Sequence, residues 1–148
     1  MDEVYLEQFM NVAKDVTQAE RGLAVDSDIN IIKANNIDPS TIDSEEFKAF
    51  AIPNLQQAIS RGEAIIANNV IADLSEAPTT NTNFANLRIA VALPITGHGA
   101  IYLDRRVRDG VITKQTIDKL MKLAQHVQDQ GFKVQTQDDL YRLYQDIS

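Results

Sequence analysis

The sequence predicts an α/β (α+β) domain in which amphipathic helices pack on a central antiparallel sheet. Three observations carry this. Leu87 to Arg105, LRIAVALPITGHGAIYLDR, holds a nearly all-apolar run from Arg88 to Ile95, a Gly97-His98-Gly99 reversal and a second run from Ala100 to Asp104. Apolar runs of this length joined by glycines read as a tight pair of strands at the centre of a sheet, covered on both faces. Helical periodicity dominates near both ends of the chain, from Tyr5 to Val16 and from Thr113 to Val127. Finally, 148 residues with 44% hydrophobic and 24% charged side chains are enough for one hydrophobic core and match ordinary globular usage.

The same composition excludes several classes of function. Lys and Arg number 14 against 21 Asp and Glu, for a net charge of −7, so the surface field repels phosphate backbones and no nucleic-acid partner is expected. The longest apolar run, Ile89 to Ile95, falls well short of the ~20 residues that span a bilayer. The acidic start MDEVYLEQ lacks the basic flank and apolar stretch of a signal peptide, so no membrane partner and a cytoplasmic location are expected. With no cysteine, disulfides, thiolate catalysis and sulfur-ligated zinc are excluded, and there is no Asn-X-Ser/Thr sequon.

Each element follows in order. Leu6, Phe9, Met10, Ala13 and Val16 form a helical stripe. Tyr5 and Val12 widen it beyond the ~100° that packing on a sheet requires, which leaves apolar surface for a second partner such as another subunit. Gly22 to Ala34 reads as two short strands, GLAVD and INIIKA, joined at Ser27 and Asp28. Asp43-Ser44-Glu45-Glu46 offers a capping box, with Asp43 as the accepting cap and Glu46 reaching back, for a helical turn or two carrying Phe47 and Phe50. Pro53 suits the first turn of a helix, so a new helix is expected there, with Leu55, Ala58 and Ile59 inward and a stop at Gly62.

Extended structure resumes at AIIAN, Ala64 to Asn68, and after Asp73 comes SEAPTTNTNFAN, a long loop of small polar residues with almost no charge. Beyond the central strand pair, Thr113 caps a helix whose stripe is Ile117, Leu120, Met121, Ala124 and Val127, ending near Gly131. A last helix begins near Thr136, with Asp138 and Asp139 complementing its dipole and Leu140, Leu143, Tyr144 and Ile147 on one side. The expected organisation is one domain over 1–148, with a core of about 9–128 and a C-terminal amphipathic helical extension over 132–148.

The ordered set AERGLAVDSD, IPNLQQAISRGEAIIANN, IADLS with Asp73, LRIAVALPI with Pro94, GHGAIYLDRR with Gly99 and Asp104, and ITKQTIDKLMKLAQHV resembles the GAF family of small-molecule sensor domains. The resemblance runs from about Phe9 to Gln128, and its specificity lies in the order of the pieces. It implies a sheet of five or six antiparallel strands, terminal helices packed on one face, and a ligand cavity on the other, under the loops at 37–50 and 67–86. Members of the family bind cyclic nucleotides, tetrapyrroles, haem or small metabolites, or bind nothing and serve as dimerising relays. They usually sit beside kinase, cyclase or transcription-regulator output domains, which the resemblance therefore implies as partners, together with a homodimer through the terminal helices. This chain has no Asn-Lys pair, which disfavours the cyclic-nucleotide subgroup, and its lack of cysteine excludes the bilin-attaching and methionine-sulfoxide-reducing subgroups.

Candidate chemistry is sparse. Thr79, Thr80, Asn81, Thr82, Asn83 and Asn86 present hydroxyl and amide groups suited to a neutral polar ligand, or to solvent. Arg88 opens the central strand beside this loop, where its guanidinium faces a ligand or pairs with Asp73 or Glu76. The expected ligand-binding residues are therefore Asp73, Thr80, Asn81, Asn83 and Arg88. His98, between two glycines, reads as an exposed turn residue rather than a metal ligand or pH sensor, and His126 as bordering the packed face of its helix. The run from Asp104 through Arg108 reads as a solvated charge cluster leaving a strand. HExxH, GxSxG, Walker and GxGxxG motifs are all missing, so no catalytic residue, cofactor or metal site is expected. The leading reading is a non-enzymatic regulatory domain that binds a small molecule and relays the signal through its terminal helices. The alternative is a ligand-free dimerisation or interaction module using Tyr5 to Val16 and Leu140 to Ile147.

Overall fold

The computed structural model describes residues 2–67, 88–95, 97–106, 112–129 and 136–147. Its elements are α1 (Asp2–Thr17), β1 (Arg21–Asp26), β2 (Ile31–Asn35), α2 (Pro39–Ile42), α3 (Glu45–Arg61), β3 (Ile65–Ala67), β4 (Arg88–Ile95), β5 (Gly99–Arg106), α4 (Lys114–Asp129) and α5 (Gln137–Asp146). Among the described residues, five strands form one antiparallel sheet in the order β2-β1-β5-β4-β3, with β5 in the middle of that order.

Alternation along the strands builds two different faces. Ala24, Ile89, Val91, Leu93, Ile95, Ile101 and Leu103 pack with α1, α4 and Leu140 of α5 in one buried cluster. Leu23, Val25, Ala90, Ala92, Ala100 and Tyr102 face the other way and pack with Phe47, Ala51, Leu55 and Ala58 of α3. The terminal helices thus share one face, as expected, and α3 has the other. The alanines let α3 lie close to β4 and β5, while large aliphatic side chains fill the space beneath α1 and α4.

Most of the wide stripe of α1 is buried inside this chain, with Val16 half-buried at its end. Tyr5, Leu6, Phe9, Met10, Val12 and Ala13 are all buried, and Leu143, Tyr144 and Ile147 of the α5 region pack against the same cluster. Polar contacts fix the pairing: Tyr141 Oη donates to Asp15 Oδ2 at 2.7 Å and Asn11 Nδ2 to Gln137 Oε1 at 3.0 Å. α5 thus covers part of the apolar surface of α1, leaving Val4 exposed and Leu143, Tyr144 and Ile147 half-buried. The cap of α5 is a capping box in which Thr136 Oγ1 accepts from Asp139 N and the Asp139 carboxylate accepts from Thr136 N.

The region between β2 and β3 departs from expectation in two ways. Asp38 and Pro39 start the short α2, a helix opening with proline in its first turn, and Asp43 closes it by donating its N–H to Pro39 O. With Asp43 committed there, Ser44 is the cap of α3, and its Oγ accepts from Phe47 N at 3.2 Å. Ser44→Ala is expected to lower stability by about 1 kcal/mol, read from a urea unfolding midpoint. Secondly, α3 runs through Pro53 instead of starting at it. An interior proline costs about 3 kcal/mol, but Phe47, Ala51, Leu55 and Ala58 make one buried stripe across it, and burying a single Leu or Phe returns about 1.5–3 kcal/mol. Pro53 itself faces solvent, and Asn54 Nδ2 donates to Phe50 O in the adjacent turn. Gly62 then ends the helix at φ +64, the left-handed geometry that favours glycine.

Candidate functional site

Between α2, α3 and the β1–β2 hairpin lies a cavity of about 180 Å³. It opens where the alanine-faced strands stop and the larger β1 side chains Leu23 and Val25 hold α3 away from the sheet. Phe47, Ala51 and Leu55 of α3 form the opposite wall, Ile29 and Ile31 one end, and Asp43 and Lys48 are its charged lining residues. Its walls include residues from 37–50, the loop expected to roof a cavity on the face away from the terminal helices.

The hairpin turn at this end is built around a carboxylate. Asp26 Oδ1 accepts from the backbone N–H groups of Asp28 and Asn30, and Oδ2 accepts from Asn30 Nδ2. These bonds, the Asn30 backbone donor first, hold the Asp26 pKa below its usual value. They also hold Ile29 at φ +65, with its N–H donated to Asp26 O. A β-branched residue in that region stores strain of about 1–3 kcal/mol, and here the strained residue lines the cavity.

Phe47 joins the cavity to a buried polar cluster. Its ring stands edge-on to Tyr102 at 5.5 Å between centroids, and the Arg21 guanidinium carbon is 6.0 Å from its centre. Arg21 and Asp104 are directly opposed across the β1–β5 ladder. Arg21 Nε donates to Asp104 Oδ1 at 2.8 Å and Nη2 to Oδ2 at 2.6 Å, while Tyr102 Oη donates to Oδ2 at 2.8 Å. Asp104 is fully buried. Burial opposes the Arg21 charge, but the hydrogen bond and charge of Asp104 outweigh it and raise the guanidinium pKa above its ordinary value. This cluster reads as a rigid floor beside the cavity, since Arg21 Nε and Nη2 and the Tyr102 hydroxyl all converge on the one buried carboxylate.

The expected site residues fare unevenly. Asp73, Thr80, Asn81 and Asn83 lie outside the described residues, as does the rest of the polar loop. Arg88 opens β4, with its Cα opposite that of Arg106. Asp104, expected in a solvated run, is instead the buried centre of the polar cluster. Nothing local in the sequence marked it: Arg21 is 83 positions away, and only the β1–β5 register brings the two together. His98 also differs from expectation. It is half-buried, its ring edge-on to Tyr5 at 5.4 Å, because α1 starts early enough to lay Tyr5 over the β4–β5 turn. His126 is half-buried in the last turn of α4, at the border of the packed face. Among the described residues, no three His, Asp or Glu side chains converge as a metal site would require, and no helix is long and apolar enough to cross a membrane.

No family model matches the sequence, and no curated protein matches it. Among solved structures, the chain is similar to that of a GAF domain/HD domain protein from Geobacter sulfurreducens, at a TM-score of 0.57 and 12% identity, over 97% of this chain and 93% of that one. At that identity the likeness is one of fold, and it extends from end to end: the chain has a GAF-like fold, with a five-stranded antiparallel sheet between its terminal helices and α3.

Proposed function

We propose that this chain is a non-catalytic regulatory domain that binds a small molecule between α3 and the β1–β2 hairpin and relays occupancy to its terminal helices. The observation that carries this reading is the apolar cavity on the sheet face opposite α1, α4 and α5. The strained Ile29 in its wall supports it, because such strain gathers at ligand-binding positions. A GAF-like fold is the kind of scaffold on which this role is found.

β1 supplies a route for the relay. Leu23 and Val25 line the cavity, whereas Ala24 between them belongs to the cluster under α1. Gly22 lies so close to α1 that a Cβ there would stand 3.2 Å from Met10 Cγ. A ligand that displaces β1 by a few tenths of an ångström alters the seat of α1, and with it α5. The ligand shifts that equilibrium only as far as its affinity differs between the two positions of β1. The receiver in this reading is an output domain of the kinase, cyclase or transcription-regulator kind. A ligand-free dimerising module is the second reading: most of the α1 stripe is buried within the chain, while Leu143, Tyr144 and Ile147 stay half-buried and Val4 is exposed.

The test is a thermal-shift panel of amino acids, nucleotides and tetrapyrroles on the wild-type chain and on Ala51→Leu, which fills the cavity. A true ligand at about 100 times its Kd adds about 2.7 kcal/mol to the wild type and nothing to the variant. If no compound moves the wild-type midpoint, or if Ala51→Leu keeps the full shift, the cavity is not a binding site.

A further inference from the structure

Granting that the cavity binds a ligand, we infer that the ligand is a free amino acid with a branched or aromatic apolar side chain. Three properties of the cavity converge on this class. The first is size: a cavity of about 150 Å³ lined by Leu, Ile and Phe takes up benzene, so about 180 Å³ accommodates a phenyl or branched butyl group. A tetrapyrrole is far larger, and the polar edges of a nucleobase would meet mostly hydrocarbon there.

The second is the division of chemistry within the lining. Leu23, Val25, Ile29, Phe47, Ala51 and Leu55 offer nothing but hydrocarbon, so the inserted part of the ligand must be apolar. The charged lining residues are one carboxylate, Asp43, and one ammonium, Lys48, both solvent-exposed at the α2–α3 junction. Among the described residues neither enters an ion pair. A head group carrying one charge of each sign satisfies both: its carboxylate meets Lys48 and its ammonium meets Asp43, while the side chain enters the hollow.

The third is the field of the whole chain. At a net charge of −7 the protein repels a ligand of net negative charge. That weighs against a simple carboxylic acid of the same shape and leaves a zwitterion unaffected. The proposed complex therefore places an uncharged body in the apolar space and a neutral-sum head at a rim of neutral sum.

Isothermal titration of the wild-type chain with leucine, phenylalanine, 3-methylbutylamine, 4-methylpentanoate and toluene tests this. Leucine or phenylalanine should bind tightest. Removing either charge from leucine should weaken binding about fivefold, the scale of one exposed ion pair. Lys48→Met should erase the advantage of leucine over 3-methylbutylamine, and Asp43→Asn its advantage over 4-methylpentanoate. Both positions are exposed, so the unliganded melting points should stay near the wild-type value. Toluene binding as well as leucine, with Ala51→Leu blocking it, overturns the amino-acid assignment and leaves the cavity reading standing. Unchanged leucine affinity in both charge variants overturns the assignment in the same way. If neither amino acids nor toluene bind, the assignment falls, and the cavity reading falls with it when the wider thermal-shift panel is silent as well.

Discussion

Arg21→Ala is expected to destabilise the domain by about 3–5 kcal/mol, the cost of stranding a buried carboxylate after its partner is removed. Asp104 has no exposed surface, and Arg21 keeps only 13% of its side chain exposed, so water cannot replace the lost donors without opening the sheet. The Tyr102 hydroxyl remains as a donor but supplies no charge. The triple substitution Arg21→Met, Asp104→Leu, Tyr102→Phe should cost much less than the single one, because it removes the charge together with its solvation demand. Urea unfolding of the two variants decides the matter. A triple variant no more stable than Arg21→Ala would mean that the cluster acts through packing and not through its charges.

Gly99→Ala should be comparably severe, at about 3 kcal/mol or more. Gly99 begins β5 opposite Asp26 of β1, at φ +155. An added Cβ would overlap Val25 O and stand 2.8 Å from Asp26 Cα and 2.9 Å from Val25 C. All three are backbone atoms of the neighbouring strand, so no rotamer change relieves the clash and the β1–β5 ladder must part. Gly97→Ala, two residues earlier, is the control. Its Cβ would meet only the Gln128 side chain at 3.7 Å, so it carries the left-handed backbone cost at φ +83, about 1–2 kcal/mol. Thermal unfolding that ranks the two variants equally would show that the close approach of β1 is not what requires glycine at 99.

Much of this architecture is legible in the residues. β4 begins and ends where the apolar run does, and α4 and α5 start at the threonines that cap them. Periodicity works there because local pattern and burial agree. It failed around 38–61 because two local rules competed with tertiary packing. Asp38-Pro39 is itself a helix start, which displaced the cap from Asp43 to Ser44, and the buried stripe from Phe47 to Ala58 overrode the helix-breaking tendency of Pro53. The polar cluster was illegible for a different reason. Asp104 is followed by arginines that disguise it as part of a surface run, and its true partner is set by strand register, which no short window contains. The apolar walls of the cavity were individually visible as strand and helix residues. That they leave a hollow depends on side-chain volumes summed across four elements.

The two unlike faces of the sheet separate what must be preserved from what is free to change. Large aliphatic residues under α1 and α4 belong to one cluster that joins α1, β1, β4, β5, α4 and α5, so an altered volume there disturbs the whole assembly. On the opposite face Ala90, Ala92 and Ala100 set the height of α3, and the hollow exists only where those methyl groups give way to Leu23 and Val25. Exchanges at Ala51 or Ile52 of α3 can therefore reshape the hollow without touching β1, the strand that seats α1. In evolutionary terms, a lineage with this fold can acquire a new ligand by a few volume exchanges on α3 while the cluster on the far face of the sheet stays as it is.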